Sequence, residues 1–130
     1  MSKRFAVFDI DGTLVRWQLY HAVVDGLANA GAICEDTQEL LHIARMKWKR
    51  RESNDGFTVY QSKLIGLFEK EITNLDTEEF DKVVKKIFEE YKDQVYTYTR
   101  DLIKKLKSEG YVLLAISGSH QEIVEQVAKY

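Results

Sequence analysis

The run Phe5-Ala-Val-Phe8 passes directly into Asp9-Ile10-Asp11-Gly12-Thr13-Leu14, and few folds accept that order. A short continuous apolar run bounded by a turn signal reads as a buried strand, of the kind found in parallel sheets. Side chains alternate along a strand, so Asp9 and Asp11 share a direction while Ile10 turns into the core. Gly12 then permits a sharp turn. A second such run, Tyr111-Val-Leu-Leu-Ala-Ile116, precedes Ser117-Gly118-Ser119-His120. Parallel strands need a crossover, and Thr99 to Glu109 supplies one, with Leu102, Ile103 and Leu106 at helical spacing and Gly110 as a stop.

Residues 16–97 separate the first strand from that helix, far more chain than a connection needs, and read as an inserted domain. It is almost wholly helical by pattern. Trp17, Tyr20, Val23, Val24, Leu27 and Ala28 follow one stripe that stops near Gly31. Leu40, Leu41, Ala44 and Trp48 form a second, before an Asn54-Asp55-Gly56 break, and Tyr60, Leu64, Leu67 and Phe68 a third. Asp76 or Thr77 can cap a fourth, carrying Phe80, Val83, Val84, Ile87, Phe88 and Tyr91. Four amphipathic helices can bury their faces against one another.

Two acids aimed at one point need a cation or a shared proton. Oxygen donors of this kind suit Mg²⁺. The chemistry that fits is phosphoryl transfer, with Asp9 as a carboxylate nucleophile beside a bound cation. Asp11 is placed to protonate the leaving oxygen and then to activate water. Thr13 offers a hydroxyl to a phosphate oxygen. After the second strand, Ser117 and the Gly118 backbone form a candidate anion site at a helix N-terminus. Ser119 with Glu122 makes a capping-box pattern for that helix, which runs through Ile123, Val124 and Val127.

The segment Asp9-Ile10-Asp11-Gly12-Thr13-Leu14 after a hydrophobic strand resembles the first motif of the haloacid dehalogenase superfamily. The strand ending in Ser117-Gly118-Ser119 is similar to the second motif of its phosphoserine phosphatase branch. The resemblance implies a Rossmann-like parallel-sheet core, here residues 1–15 and 98–130, with residues 16–97 as a helical cap that closes over the site. It also implies Mg²⁺, with Asp9 and the Asp11 main-chain carbonyl among its ligands, and hydrolysis of a small phosphorylated metabolite through an aspartyl-phosphate. Phosphoserine phosphatases generally carry a glutamate where this chain has Gln18. Gln keeps hydrogen bonding but loses the countercharge, so another small phosphomonoester is expected. Arg16, Trp17, Gln18 and Lys63 are the candidate substrate contacts on the cap side.

The superfamily's catalytic set also includes a later lysine and later acids. Lys129 comes too early to match that lysine, and Glu122 and Glu125 read as an exposed helix face. Two parallel strands alone also leave open edges and little apolar cover. The chain is therefore expected to be the N-terminal portion of a longer enzyme, or to pair its sheet with a second copy or a complementing chain. A phosphotransferase of the same superfamily is the nearer alternative reading, and a non-catalytic binding or regulatory module the more distant one. Dehalogenation fits poorly, because Asp11 has no use when the leaving group is a halide.

Composition excludes other classes. A net charge of -2 over 130 residues gives no argument for nucleic-acid binding. No apolar run approaches a membrane span, and the single cysteine, Cys34, suits a reducing cytoplasm. Arg45, Lys47, Lys49, Arg50 and Arg51 read as a solvated helix end, where cations suit the dipole. His21 and His120 have no partner at ligand spacing; His42 sits beside apolar residues and reads as packed or exposed, and His120 is expected at the surface.

Overall fold

A computed structural model describes residues 2–130. Its elements are β1 (Phe5–Asp9), α1 (Leu19–Asn29), α2 (Glu35–Lys49), α3 (Gly56–Glu71), a short 3-10 turn (Ile72–Asn74), α4 (Thr77–Tyr91), α5 (Thr97–Ser108), β2 (Val112–Ile116) and α6 (Gln121–Lys129). The chain is α/β and mostly helical. Among the described residues the sheet has two parallel strands, in a register that sets Phe5 against Val112 and Asp9 against Ile116. Both strands therefore end together, and the turns that follow them start at the same edge. Among the described residues no helix is long and apolar enough to cross a membrane.

The chain divides into two compact units, Met1–Val23 with Val84–Tyr130, and Val24–Val83. In the first, Ile10, Val15, Leu19, Val84 and Ile123 are buried. One sheet face stays open: Phe5, Val7, Val112, Leu114 and Ile116 are between 40% and 68% exposed. Helix α5 starts at Thr97, before the expected Thr99. Thr99 is instead buried inside it and donates its hydroxyl to the Thr13 carbonyl at 2.8 Å, tying the crossover helix to the turn after β1.

In the second unit, Tyr60, Leu64 and Phe68 are buried on one stripe of α3, with Leu41 and Ala44 buried on α2. Arg45 departs from the solvated helix end expected of it. It pairs with Asp25 and donates from Nε and Nη2 to the Tyr60 hydroxyl at 2.9 and 2.7 Å. Burial pushes the Tyr60 phenol up, with Arg45 opposing. Lys47, Lys49, Arg50 and Arg51 remain exposed. Thr37 and Cys34 both donate to Glu71 Oε1, at 2.6 and 3.0 Å, and hold its carboxyl below the usual range.

Helix ends show local chemistry at work. Asp76 Oδ1 accepts the Glu79 N–H at 3.0 Å, the capping bond expected before α4. After α5, Gly110 at φ 78° lets its own N–H reach Lys107 O and the next N–H reach Leu106 O. Helix α2 closes with the same pair of bonds, from Arg51 N–H to Trp48 O and from Glu52 N–H to Lys47 O. There the left-handed position is filled by Arg51 at φ 54°. An L side chain is strained in that conformation, so Arg51→Gly is expected to stabilise the protein by about 1 kcal/mol, read from the denaturant midpoint. A lower midpoint would show that the arginine side chain contributes more than its backbone costs.

Candidate active site

Asp9 is the last residue of β1 and Ser117 directly follows β2, so parallel pairing alone brings their turns to one edge. Ile10, 1% exposed, anchors the first turn from below. The Ile10 carbonyl accepts the N–H groups of Thr13, Leu14 and Val15 at 3.2, 2.9 and 3.0 Å, while Gly12 at φ 74° donates to Val15 O at 2.9 Å. Only glycine adopts that φ without strain. The result is a tight backbone knot that presents both acids.

The two carboxylates have different surroundings. Asp9 is exposed; Oδ1 accepts its neighbour's N–H, from Ile10, at 2.8 Å, and Thr13 Oγ1 lies at 3.4 Å from Oδ2. Asp11 is held by three donors from two segments. Its Oδ1 accepts the N–H of Leu19, the first residue of α1, at 2.7 Å. Its Oδ2 accepts both the Ser117 and the Ser119 hydroxyls, each at 2.9 Å. Ser117 Oγ in turn accepts the Ser119 N–H at 3.1 Å.

Ser119 therefore does not make the capping box expected with Glu122. The N-cap of α6 is His120, with no side-chain capping bond, and the hydroxyl serves Asp11 instead. The hydroxyl donates to a carboxylate of the other motif instead of accepting a local backbone N–H, because charge-assisted hydrogen bonds are the stronger ones. Nothing in the local spacing signals this use of Ser119. The Ser117 hydroxyl, expected to face a phosphate on Asp9, likewise rests on Asp11.

The other candidates are dispersed. Gln18 brings its amide beside Gly12, where an added Cβ would lie 3.5 Å from Nε2. Trp17 is 38% exposed and edge-on to buried His21. Arg16 is exposed and its N–H is bonded to Gln94 O at 2.8 Å. Gly118 is exposed in the second turn. Lys63 is exposed on α3 and belongs to the second unit.

His120, expected at the surface, is partly buried and stacks on Tyr20 with ring centroids 4.3 Å apart. Burial holds its imidazole below the usual histidine range, with Glu122 opposing. The fold thus favours the neutral ring, while the unfolded chain takes up a proton as pH falls through about 6.5. Stability from this residue is complete above that pH and declines below it, towards the lower folded value. The denaturant midpoint is expected to fall between about pH 7.5 and 5.5, and His120→Gln to reduce that fall. An unchanged fall in the variant would assign the dependence to other groups.

The donor set is all oxygen, the preference of a hard divalent cation, and Asp9 offers an exposed carboxylate. Among the described residues no group of three or more His, Cys, Asp or Glu side chains gathers that could hold a metal ion. Of the two acids, Asp9 keeps its carboxylate exposed, whereas the Asp11 carboxylate is taken up by Leu19, Ser117 and Ser119.

A family model described as "Hydrolase: haloacid dehalogenase-like hydrolase" matches residues 4–130. Among solved structures the chain is similar to one described as "Crystal Structure analysis of a Dehalogenase", with 22% identity and a TM-score of 0.39. That match covers 98% of this chain and 57% of the other. No curated protein matches.

Proposed function

We propose, from the premise that this chain belongs to the haloacid dehalogenase-like hydrolase family, that it carries the nucleophile and acid–base pair of a Mg²⁺-dependent phosphomonoester hydrolase. The observation that carries the reading is the 2.9 Å bond between Ser117 and Asp11, which joins two turns 106 positions apart at the lip of the sheet. The chain spans 57% of the dehalogenase structure it matches, so the activity is proposed for the whole protein.

In this reading an Asp9 oxygen attacks phosphorus, the bond to the ester oxygen breaks, and Asp11 gives its proton to the departing alcohol. Water then attacks the aspartyl-phosphate, its proton passes to Asp11, and inorganic phosphate leaves with Asp9 restored. Bound Mg²⁺, held by Asp9 and the Asp11 main-chain carbonyl, supplies charge neutralisation at the phosphoryl oxygens. The Ser117 hydroxyl turns from Asp11 to a phosphoryl oxygen, supported by the Gly118 backbone in the turn before α6 and by Thr13. Gln18, beside Gly12, supports a role in choosing the leaving group, with Arg16 and Trp17 as further contacts. Residues 16–97 are assigned as the inserted substrate-selecting cap, Lys63 within it, and residues 1–15 and 98–130 as the core.

Phosphate release from a panel of small phosphomonoesters by the full-length protein tests this. Turnover is expected with Mg²⁺ and not with a chelator. Chloride release from a haloacid without phosphatase activity would overturn it, and phosphate passing to an added alcohol in preference to water would mark a phosphotransferase. Tight binding of a phosphorylated ligand without turnover would mark a binding module.

A further inference from the structure

We propose that Ser119 is a positioning residue for Asp11, the group that keeps this carboxyl aimed once Ser117 has been given up to the phosphate. The inference rests on the phosphomonoesterase reading and deepens it. In the structure Asp11 Oδ2 holds two hydroxyls, Ser117 and Ser119, each at 2.9 Å, while Oδ1 holds the Leu19 N–H at 2.7 Å. One of those hydroxyls is redundant until substrate arrives. When Ser117 turns to the phosphoryl group, Leu19 and Ser119 remain, one donor on each oxygen. Two donors on opposite oxygens fix the plane of a carboxyl; a single donor leaves it free to rotate about its last bond.

The two remaining donors also differ in kind. A backbone N–H only donates, so Leu19 marks Oδ1 as the permanent acceptor and leaves Oδ2 as the oxygen that carries the proton. A serine hydroxyl rotates and can donate to the carboxylate or to the second lone pair of the protonated oxygen. Ser119 thus serves Asp11 before and after proton transfer without moving. Its place is itself held, through its N–H on Ser117 Oγ at 3.1 Å and through the next residue, His120, stacked on Tyr20.

An aryl and an alkyl phosphate separate positioning from structure, because p-nitrophenolate leaves without a proton and an alkoxide does not. The full-length protein with Mg²⁺ is compared with Ser119→Ala and Ser119→Thr on p-nitrophenyl phosphate and on a simple alkyl phosphate. For Ser119→Ala, kcat/KM, which reports formation of the phosphoenzyme, is expected to fall at least about tenfold on the alkyl ester and less than about threefold on the aryl ester. The phosphoenzyme is expected to accumulate with the aryl ester, since the same Asp11 activates water in the second step, and Ser119→Thr to restore most of the loss. Equal losses on both esters, no loss on either, or weaker inhibition by inorganic phosphate would overturn the assignment. A wild-type protein that hydrolyses neither ester would instead remove the phosphomonoesterase reading itself, and the role of Ser119 with it.

Discussion

Asp9→Asn is expected to leave no phosphoenzyme after an acid quench and to lower phosphatase turnover by at least about 10³-fold, the scale seen when a covalent nucleophile is removed. The asparagine keeps the shape of the side chain and an oxygen that can still accept the Ile10 N–H now bonded to Oδ1 at 2.8 Å. Asp9 is exposed at the strand tip, so the fold loses little and the denaturant midpoint should hold. What is lost is a charged oxygen able to bond to phosphorus and to meet a cation. Retained turnover of an aryl phosphate by this variant would refute the nucleophile assignment, whatever its effect on stability.

Truncating Ile123 should have a large effect on stability. Ile123 is 0% exposed and is the buried residue of α6, the helix that follows the Ser117–His120 turn. Ile123→Ala removes buried methyl and methylene groups and leaves a cavity, at a cost of about 2–5 kcal/mol. Against a total stability on the order of 5–15 kcal/mol that is a large fraction. Ile123→Val, which removes one carbon, should cost about 0.5–1.5 kcal/mol, so the pair reads as a graded series in the midpoint. A loss under about 1 kcal/mol for the alanine variant would show that α6 is not anchored by this side chain.

Much of the secondary structure was legible because its signals are local. The stripe through Tyr60, Leu64 and Phe68 is buried on α3 as its spacing implies, the Asn54-Asp55-Gly56 break falls where α3 begins, and Asp76 caps α4. The acid-bearing turn after β1 and the hydroxyl-bearing turn after β2 could be located for the same reason. Errors came where a side chain found a distant partner stronger than its local one. Thr99 has the local pattern of a helix start and is buried against the Thr13 carbonyl; Arg45 sits in a run that suits a solvated helix end and is tied to Asp25 and Tyr60. His120 follows a polar turn that suits the surface, and stacking on Tyr20 draws it in.

Periodicity and turn chemistry by themselves determined where strands and helices form, since each depends on residues within a few positions along the chain. They also determined which short segments carry acids and hydroxyls. Only the tertiary structure decided how those groups are shared. Parallel pairing of β1 with β2 brings Asp11 to Ser117 and Ser119, and the Ser119 hydroxyl donates to that carboxylate instead of turning to accept the N–H groups of α6, because a hydrogen bond to a charged group is stronger than one between neutral groups.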